Sequence, residues 1–210
     1  MWKTHKTTII ITVLLCLVPI AAGAVLWDRL PDPMPVHFGP DNQPNGWASR
    51  PFAVFGLPCF IAALELVCVA LTNLDPKRRN IPRKNMALVL WMMPALSVLT
   101  GALTYAYALG RTVDIGFFVM LALGLLFLVL GNLLPKAGQN YSYGIKLPWT
   151  LHDEDNWCAT HRFGGYVFAI CGVLMMATAF LHNPWVTLGL LLVMLLAPTV
   201  YSYLYYRRHQ

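Results

Sequence analysis

The sequence predicts an all-α membrane protein: a six-transmembrane-helix bundle with a small Pro-rich extracytoplasmic loop and a cytoplasmic interfacial helix between helices 4 and 5. Three observations carry that expectation. Hydrophobic residues make up 58% of the 210-residue chain and charged residues only 11%, against roughly 25% charged in a soluble domain. Six apolar runs, at 7–27, 52–74, 87–110, 115–134, 165–182 and 185–206, are long enough to cross a bilayer, which takes about 20 residues. The basic residues are also sorted between alternate ends of those runs. Lys3, Lys6, Lys77, Arg78, Arg79, Arg83, Lys84, Lys136, Lys146, Arg162, Arg207 and Arg208 fall on one side, and only Arg29, Arg50 and Arg111 on the other. The positive-inside rule then places both termini in the cytoplasm. It also accounts for the net charge of +6, so no direct nucleic-acid binding is expected.

The first run, within residues 1–27, has a basic start and Ala21-Ala22-Gly23-Ala24 near its end. That resembles a signal peptide, but its apolar core is longer than the usual 7–15 residues, so an uncleaved anchor is expected. Residues 28–51 form the outer loop. Pro31, Pro33, Pro35, Pro40, Pro44 and Pro51 each fix φ and bias the preceding residue to extended geometry. Alternation through Met34, Val36 and Phe38 allows a short strand. Gln43-Pro44-Asn45-Gly46 is a strong turn signal, and Trp27 and Trp47 suit the interfacial aromatic belt.

Residues 52–134 hold helices 2 to 4. Run two contains Glu65, nine residues from its cytoplasmic end. At 1.5 Å per residue that is about 13–14 Å deep, near mid-bilayer. A carboxyl there is either functional or bonded to a neighbouring helix. Ser97, Thr100, Thr104 and Tyr105 of run three are its candidate neighbours. Pro19, Pro58, Pro94 and Pro198 interrupt their runs and free backbone groups that must be satisfied elsewhere.

Residues 135–164 carry most of the remaining polar side chains. The stretch is too long for a plain connector, and Tyr141, Tyr143, Trp149, Trp157 and Phe163 argue against disorder. Thr150 followed by Asp153 matches a helix start. Asp153, Glu154 and Asp155 suit a first turn, and His161 and Arg162 a last turn. A surface helix over 151–163 is expected, with Asp153, Trp157 and His161 on one face. Gly164 and Gly165 then offer a stop or bend before helices 5 and 6, at 165–206, and the tail at 207–210. The five cysteines, Cys16, Cys59, Cys68, Cys158 and Cys171, form no CxxC pair, so neither a disulfide framework nor a structural zinc site is expected.

Several stretches have longer signatures: G-N-x-x-P-K from Gly131, N-x-x-x-G-I-K-x-P-W-T-L from Asn140, and W-x-x-T-H-R-x-x-G from Trp157. The outer loop adds L-P-x-x-x-P-x-H-F-G from Leu30 and P-x-G-W-x-S-R from Pro44. Together they resemble the SdpI family of bacterial membrane proteins, named for immunity to a secreted sporulation-delay toxin peptide. Lys146 stands where that family usually has Arg, and an ammonium cannot make a guanidinium's bidentate contact. Arg50 stands where Lys is usual, and Asn42 and Asn45 replace a more typical Gly and Asp.

The resemblance implies a membrane immunity protein that binds a toxin peptide, with signalling to a cytoplasmic transcriptional repressor as a further implied role. On the matching positions it implies an outer binding region of His37, Phe38, Gly39, Gly46 and Trp47, with the departing Asn45 among them. The inner region would comprise Asn132, Pro135, Lys136, Asn140, Gly144, Lys146, Trp149, Thr150, Trp157, Thr160, His161 and Arg162. No catalytic residue, metal or cofactor is expected under this reading, and the remaining partner is membrane lipid.

Two rival readings follow from the residues. In one, a membrane enzyme at the cytoplasmic face uses Thr160, His161, Asp153 and Glu154 as an acid–base set. His152, Glu154 and His161 could there hold a metal, although their spacing matches no standard motif. The absence of GxSxG, HExxH and P-loop patterns disfavours the corresponding chemistries. In the other, Glu65 serves a small proton-coupled transporter, a reading weakened by the lack of an internal repeat.

Overall fold

The structure is a computed structural model and describes residues 2–181 and 183–209. His182, the expected end of the fifth run, lies outside the described residues. The predicted class holds: among the described residues the chain is all-α apart from one two-stranded hairpin, and six helices are long and apolar enough to span a membrane. They cover His5–Val25, Phe52–Leu74, Arg83–Ala108, Ile115–Lys136, Glu154–Ala177 and Pro184–Arg208. Their outward faces carry exposed Leu, Val and Phe, among them Phe60, Leu71 and Leu195. This is the inverse of a water-soluble surface and suits lipid as solvent. The chain divides into two compact units, residues 1–73 with 87–115, and residues 74–86 with 116–210.

In the first unit, α1 (Trp2–Cys16) and α2 (Val18–Val25) are one apolar run broken at Leu17. Pro19 has no N–H to offer the preceding turn. The Ile20 N–H bonds the Leu17 carbonyl at 3.0 Å, and the Cys16 carbonyl instead accepts the Ser97 hydroxyl at 2.7 Å. A π turn at Phe52–Gly56 leads into α3 (Leu57–Leu74). It lies just before Pro58, which cannot donate to the Val54 carbonyl, and widening the helix is one way past a proline. α4 (Arg83–Ala108) contains Pro94; from Ala87 onward it belongs to this unit.

The outer loop folds as β1 (Met34–Phe38) antiparallel to β2 (Pro44–Ala48), with irregular register about His37. The expected turn at 43–46 is displaced. Reversal occurs at 39–43, where Gly39 N–H bonds the Gln43 carbonyl at 2.8 Å and Asn42 N–H bonds the Gly39 carbonyl at 3.1 Å. Asn42 takes the left-handed conformation, φ +60°, which Asn tolerates better than most residues. Its side chain holds the Val113 carbonyl at 3.0 Å and the Ile115 N–H at 2.9 Å. Leu30, Met34, Ala53, Val54 and Tyr105 pack beneath the hairpin. Arg50 secures its base, donating to the carbonyls of Trp27 and Leu30 at 2.9 and 3.1 Å with its guanidinium 4.5 Å over the Trp27 ring.

The second unit contains α5 from Gly116 onward (Ile115–Leu133), α6 (Pro148–His152), α7 (Glu154–Ala177) and α8 (Pro184–Arg208). The surface helix expected over 151–163 is corrected on two counts. Asp153, not Thr150, caps the long helix: its carboxylate accepts from Asp155 and Asn156 N–H at 2.9 and 3.2 Å. The helix also runs without a stop through Gly164 and Gly165 to Ala177. Those glycines serve close packing. A Cβ on Gly165 would strike Pro135 and the Gly131 carbonyl, and one on Gly172 would strike the Gly124 carbonyl. α5 and α7 thus approach backbone to backbone at two glycine pairs, as small residues allow inside membranes.

Candidate functional site

The segment between α5 and α7 is folded by its own polar side chains. Asn140 is fully buried. Its amide oxygen accepts from Ser142 and Tyr143 N–H at 3.0 and 2.6 Å, while its amide nitrogen donates to the Gly138 carbonyl at 2.9 Å. Thr150, also buried, receives the Leu147 N–H at 2.9 Å and lies 3.0 Å from the Ile145 carbonyl. These contacts close the turns marked by Gly144 and Pro148. Gly144 has φ +119°, and a Cβ there would land on the rings of His161 and Trp157. Only glycine satisfies both conditions.

α7 presents Trp157, Thr160 and His161 to this segment, all wholly buried. Trp157 Nε1 donates to the Ala137 carbonyl at 2.8 Å, and its ring stacks on His161 at 3.9 Å between centroids. His161 Nδ1 faces its Trp157 carbonyl at 2.7 Å, and Nε2 accepts the Ile145 N–H at 2.9 Å. A carbonyl takes only a donor, so the imidazole is neutral with its proton on Nδ1. The Thr160 hydroxyl donates to Asn156 Oδ1 at 2.8 Å. Asn156 in turn is tied to Ser202 of α8, which also receives Trp149 Nε1 at 2.8 Å. The Trp149 ring lies against Tyr203 and Tyr206.

The connector before α4 completes the cluster. Asp75 is buried and accepts from Ser142 Oγ at 2.7 Å, Tyr141 N–H at 2.9 Å and Lys77 N–H at 2.8 Å. Burial alone would raise its pKa, but the hydrogen bonds from the Ser142 side chain and from the backbone outweigh it and hold the carboxylate below its ordinary range. Lys77 Nζ bonds Gln139, and Asn80 reaches the Gln139 carbonyl at 2.8 Å. Burial pushes the Tyr143 hydroxyl up to about 12, with Asn85 beside it acting in the opposite direction. Among the described residues, neither Tyr143 Oη nor Asn85 Oδ1 reaches hydrogen-bonding geometry with a partner.

The expected inner residues therefore divide. Asn140, Thr150, Trp157, Thr160 and His161 are core, while Asn132, Pro135, Lys136, Lys146 and Arg162 are exposed, and Gly144 and Trp149 are intermediate. Lys136 Nζ lies 3.2 Å from Asn132 Oδ1, and Lys146 Nζ lies 3.0 Å from the Tyr141 carbonyl. Asp75, Asn85, Gln139, Asn156 and Ser202 were not singled out by sequence. For Asp75 a signal existed, since Asp-Pro followed by a basic cluster marks a turn in which a carboxylate can cap N–H groups. The acid–base set of Thr160, His161, Asp153 and Glu154 is not assembled. Thr160 and both His161 nitrogens are engaged by structural partners, and Asp153 caps a helix. Among the described residues no three His, Cys, Asp or Glu converge as metal donors.

The outer residues form a separate cluster. His37 Nδ1 and Asn45 Oδ1 are 2.5 Å apart on an exposed strand pair. Gly46 faces His37 so closely that a Cβ would overlap the imidazole's own Cβ. Phe38 packs edge-on against Tyr107 at 5.0 Å, Gly39 makes the turn, and Trp47 remains 55% exposed.

Glu65 is buried, at 1% exposure, and its bonded partners differ from those anticipated. Its two oxygens meet Thr12, and Cys16 Sγ at 3.3 Å, both on α1. The α4 hydroxyls bind α1 and α2 carbonyls or their own helix: Ser97 that of Cys16, Tyr105 that of Pro19 at 3.0 Å, and Thr100 that of Leu96.

The model of the SdpI/YfhL protein family matches residues 136–202, and that of a domain of unknown function (DUF1648) matches residues 14–62. The SdpI match thus begins within the polar segment and ends at Ser202, the partner of Asn156 and Trp149. The other takes in β1 and β2. Over 97% of both chains the protein is 27% identical to the immunity protein SdpI of Bacillus subtilis (strain 168). No solved structure matches.

Proposed function

We propose that this protein is a membrane immunity protein that protects its cell against a secreted toxin peptide. The observation that carries the reading is end-to-end similarity to an immunity protein, with one family match over the folded polar segment. In the proposed orientation both termini and residues 135–164 are cytoplasmic and the hairpin faces outward. The hairpin supports recognition: His37, Asn45 and Trp47 are exposed on a short, well-anchored strand pair, and exposed aromatic groups are frequent binding anchors.

The test is survival of a toxin-sensitive strain expressing the protein and challenged with a peptide encoded beside its gene. Protection that falls by tenfold or more with Trp47→Ala, at unchanged membrane abundance, supports the proposal. Equal killing with and without the protein overturns it.

A signalling arm is favoured by one feature of the inner segment. Its polar interior is locked by hydrogen bonds, so Lys136, Lys146 and Arg162 are displayed from a preformed surface. A cytoplasmic transcriptional repressor is the proposed partner. Loss of repressor capture, with toxin protection retained, in Lys136→Glu/Arg162→Glu would separate the two activities.

A further inference from the structure

A groove of about 390 Å³ runs along one side of α8 in the second unit. Phe127 of α5 and Phe168 of α7, packed edge to face at 5.8 Å, contribute to its wall. Leu191, Met194 and Leu195 line it from α8, and Lys146 and Thr199 also border it. From Leu191 to Thr199 it extends about 12 Å along the helix, close to half of a roughly 30 Å hydrocarbon core. Beyond Thr199, α8 turns rich in tyrosine: Tyr201, Tyr203, Tyr205 and Tyr206. That composition marks the membrane interface.

We infer that this groove holds one acyl chain of an anionic phospholipid, whose headgroup phosphate is bound by Lys146. The shape supplies one leaflet's depth of apolar wall, and the cation stands where the chemistry changes from hydrocarbon to headgroup. Lys146 is exposed, and its bond to the Tyr141 carbonyl, the one it makes among the described residues, leaves two of three ammonium donors for phosphate oxygens. Among the described lining residues there is no carboxylate to oppose an anion. A zwitterionic lipid would fill the same groove without the gain in net charge, so headgroup charge should set the preference.

The experiment is native mass spectrometry of the full chain in detergent, titrated with phosphatidylglycerol or phosphatidylcholine of identical acyl chains. Phosphatidylglycerol is expected to bind about fivefold more tightly, the effect of one interfacial cation. Lys146→Gln should abolish that preference while leaving phosphatidylcholine binding unchanged. Lys136→Gln, whose cation does not line the groove, should retain the preference. Leu195→Trp, which fills the groove from a lipid-facing position, should weaken both lipids. Equal affinity for the two lipids in the unaltered protein, or a preference that survives Lys146→Gln, would overturn the assignment.

Discussion

At the scale of single residues, the polar groups of the inner segment act as struts. His161 shows this most plainly. Both ring nitrogens are bound to backbone, one holding α7 to itself and the other holding Ile145. His161→Ala would orphan the part-buried Ile145 N–H, a loss of about 1–2 kcal/mol. The expected result is faster proteolysis within residues 138–147; a group serving only chemistry would leave that rate unchanged. Asp75 adds a pH dependence with a definite sign. Its folded pKa is lowered, so its stabilisation is complete above the ordinary carboxylate value near 3.9. It is lost as pH falls through the depressed folded value. Hydrogen exchange of the Tyr141 amide should therefore accelerate on acidification relative to its intrinsic rate. Asp75→Asn should remove that acid-dependent component and raise exchange already at neutral pH. The sequence marked His161 through its motif, but burial and both bond partners depend on residues 145 and 157 meeting in space, which spacing alone does not disclose.

At the scale of elements, local signals were legible where one competing interaction did not override them. The strand through Met34, Val36 and Phe38 formed because alternation and proline both favour extended backbone. The turn moved to 39–43 because Asn42 gains two hydrogen bonds to residues 113 and 115, some seventy positions away. Likewise Gly164-Gly165 carries a helix-stop signal, but tertiary contact uses the missing side chains for the approach of α5. That difference is testable with paired substitutions. Gly131→Val would drive Cβ into the Ala169 nitrogen and Gly165 carbonyl, neither of which can rotate away. A loss of about 1–3 kcal/mol or more is expected, read as a lower melting temperature in detergent. Gly189 has nothing within 4 Å of its added Cβ and lies inside α8, so Gly189→Ala should be neutral or stabilise by up to about 1 kcal/mol. Equal behaviour of the two variants would exclude backbone contact as the reason for Gly131.

At the scale of the molecule, the six spans were legible because hydrophobic length is a property of each segment taken singly. Which helix supplies a buried partner is not: Glu65 was expected near α4 hydroxyls and bonds α1, while Ser97 takes the Cys16 carbonyl left free at the break before Pro19 and Tyr105 takes the Pro19 carbonyl. Orientation, by contrast, rests on charge sorting over the whole chain, twelve Lys and Arg against three, and this yields a direct prediction. Cys158 is exposed near the start of α7, and Asn45 is exposed on the hairpin. In a chain with Cys59 and Cys68 changed to Ala, Asn45→Cys should react with a membrane-impermeant maleimide in intact cells. Cys158 should react only after permeabilisation, because the positive-inside rule puts it on the cytoplasmic side. The reverse pattern would place the hairpin indoors, where it could not meet a secreted peptide, and would remove the proposed immunity mechanism while leaving every packing contact within each unit intact.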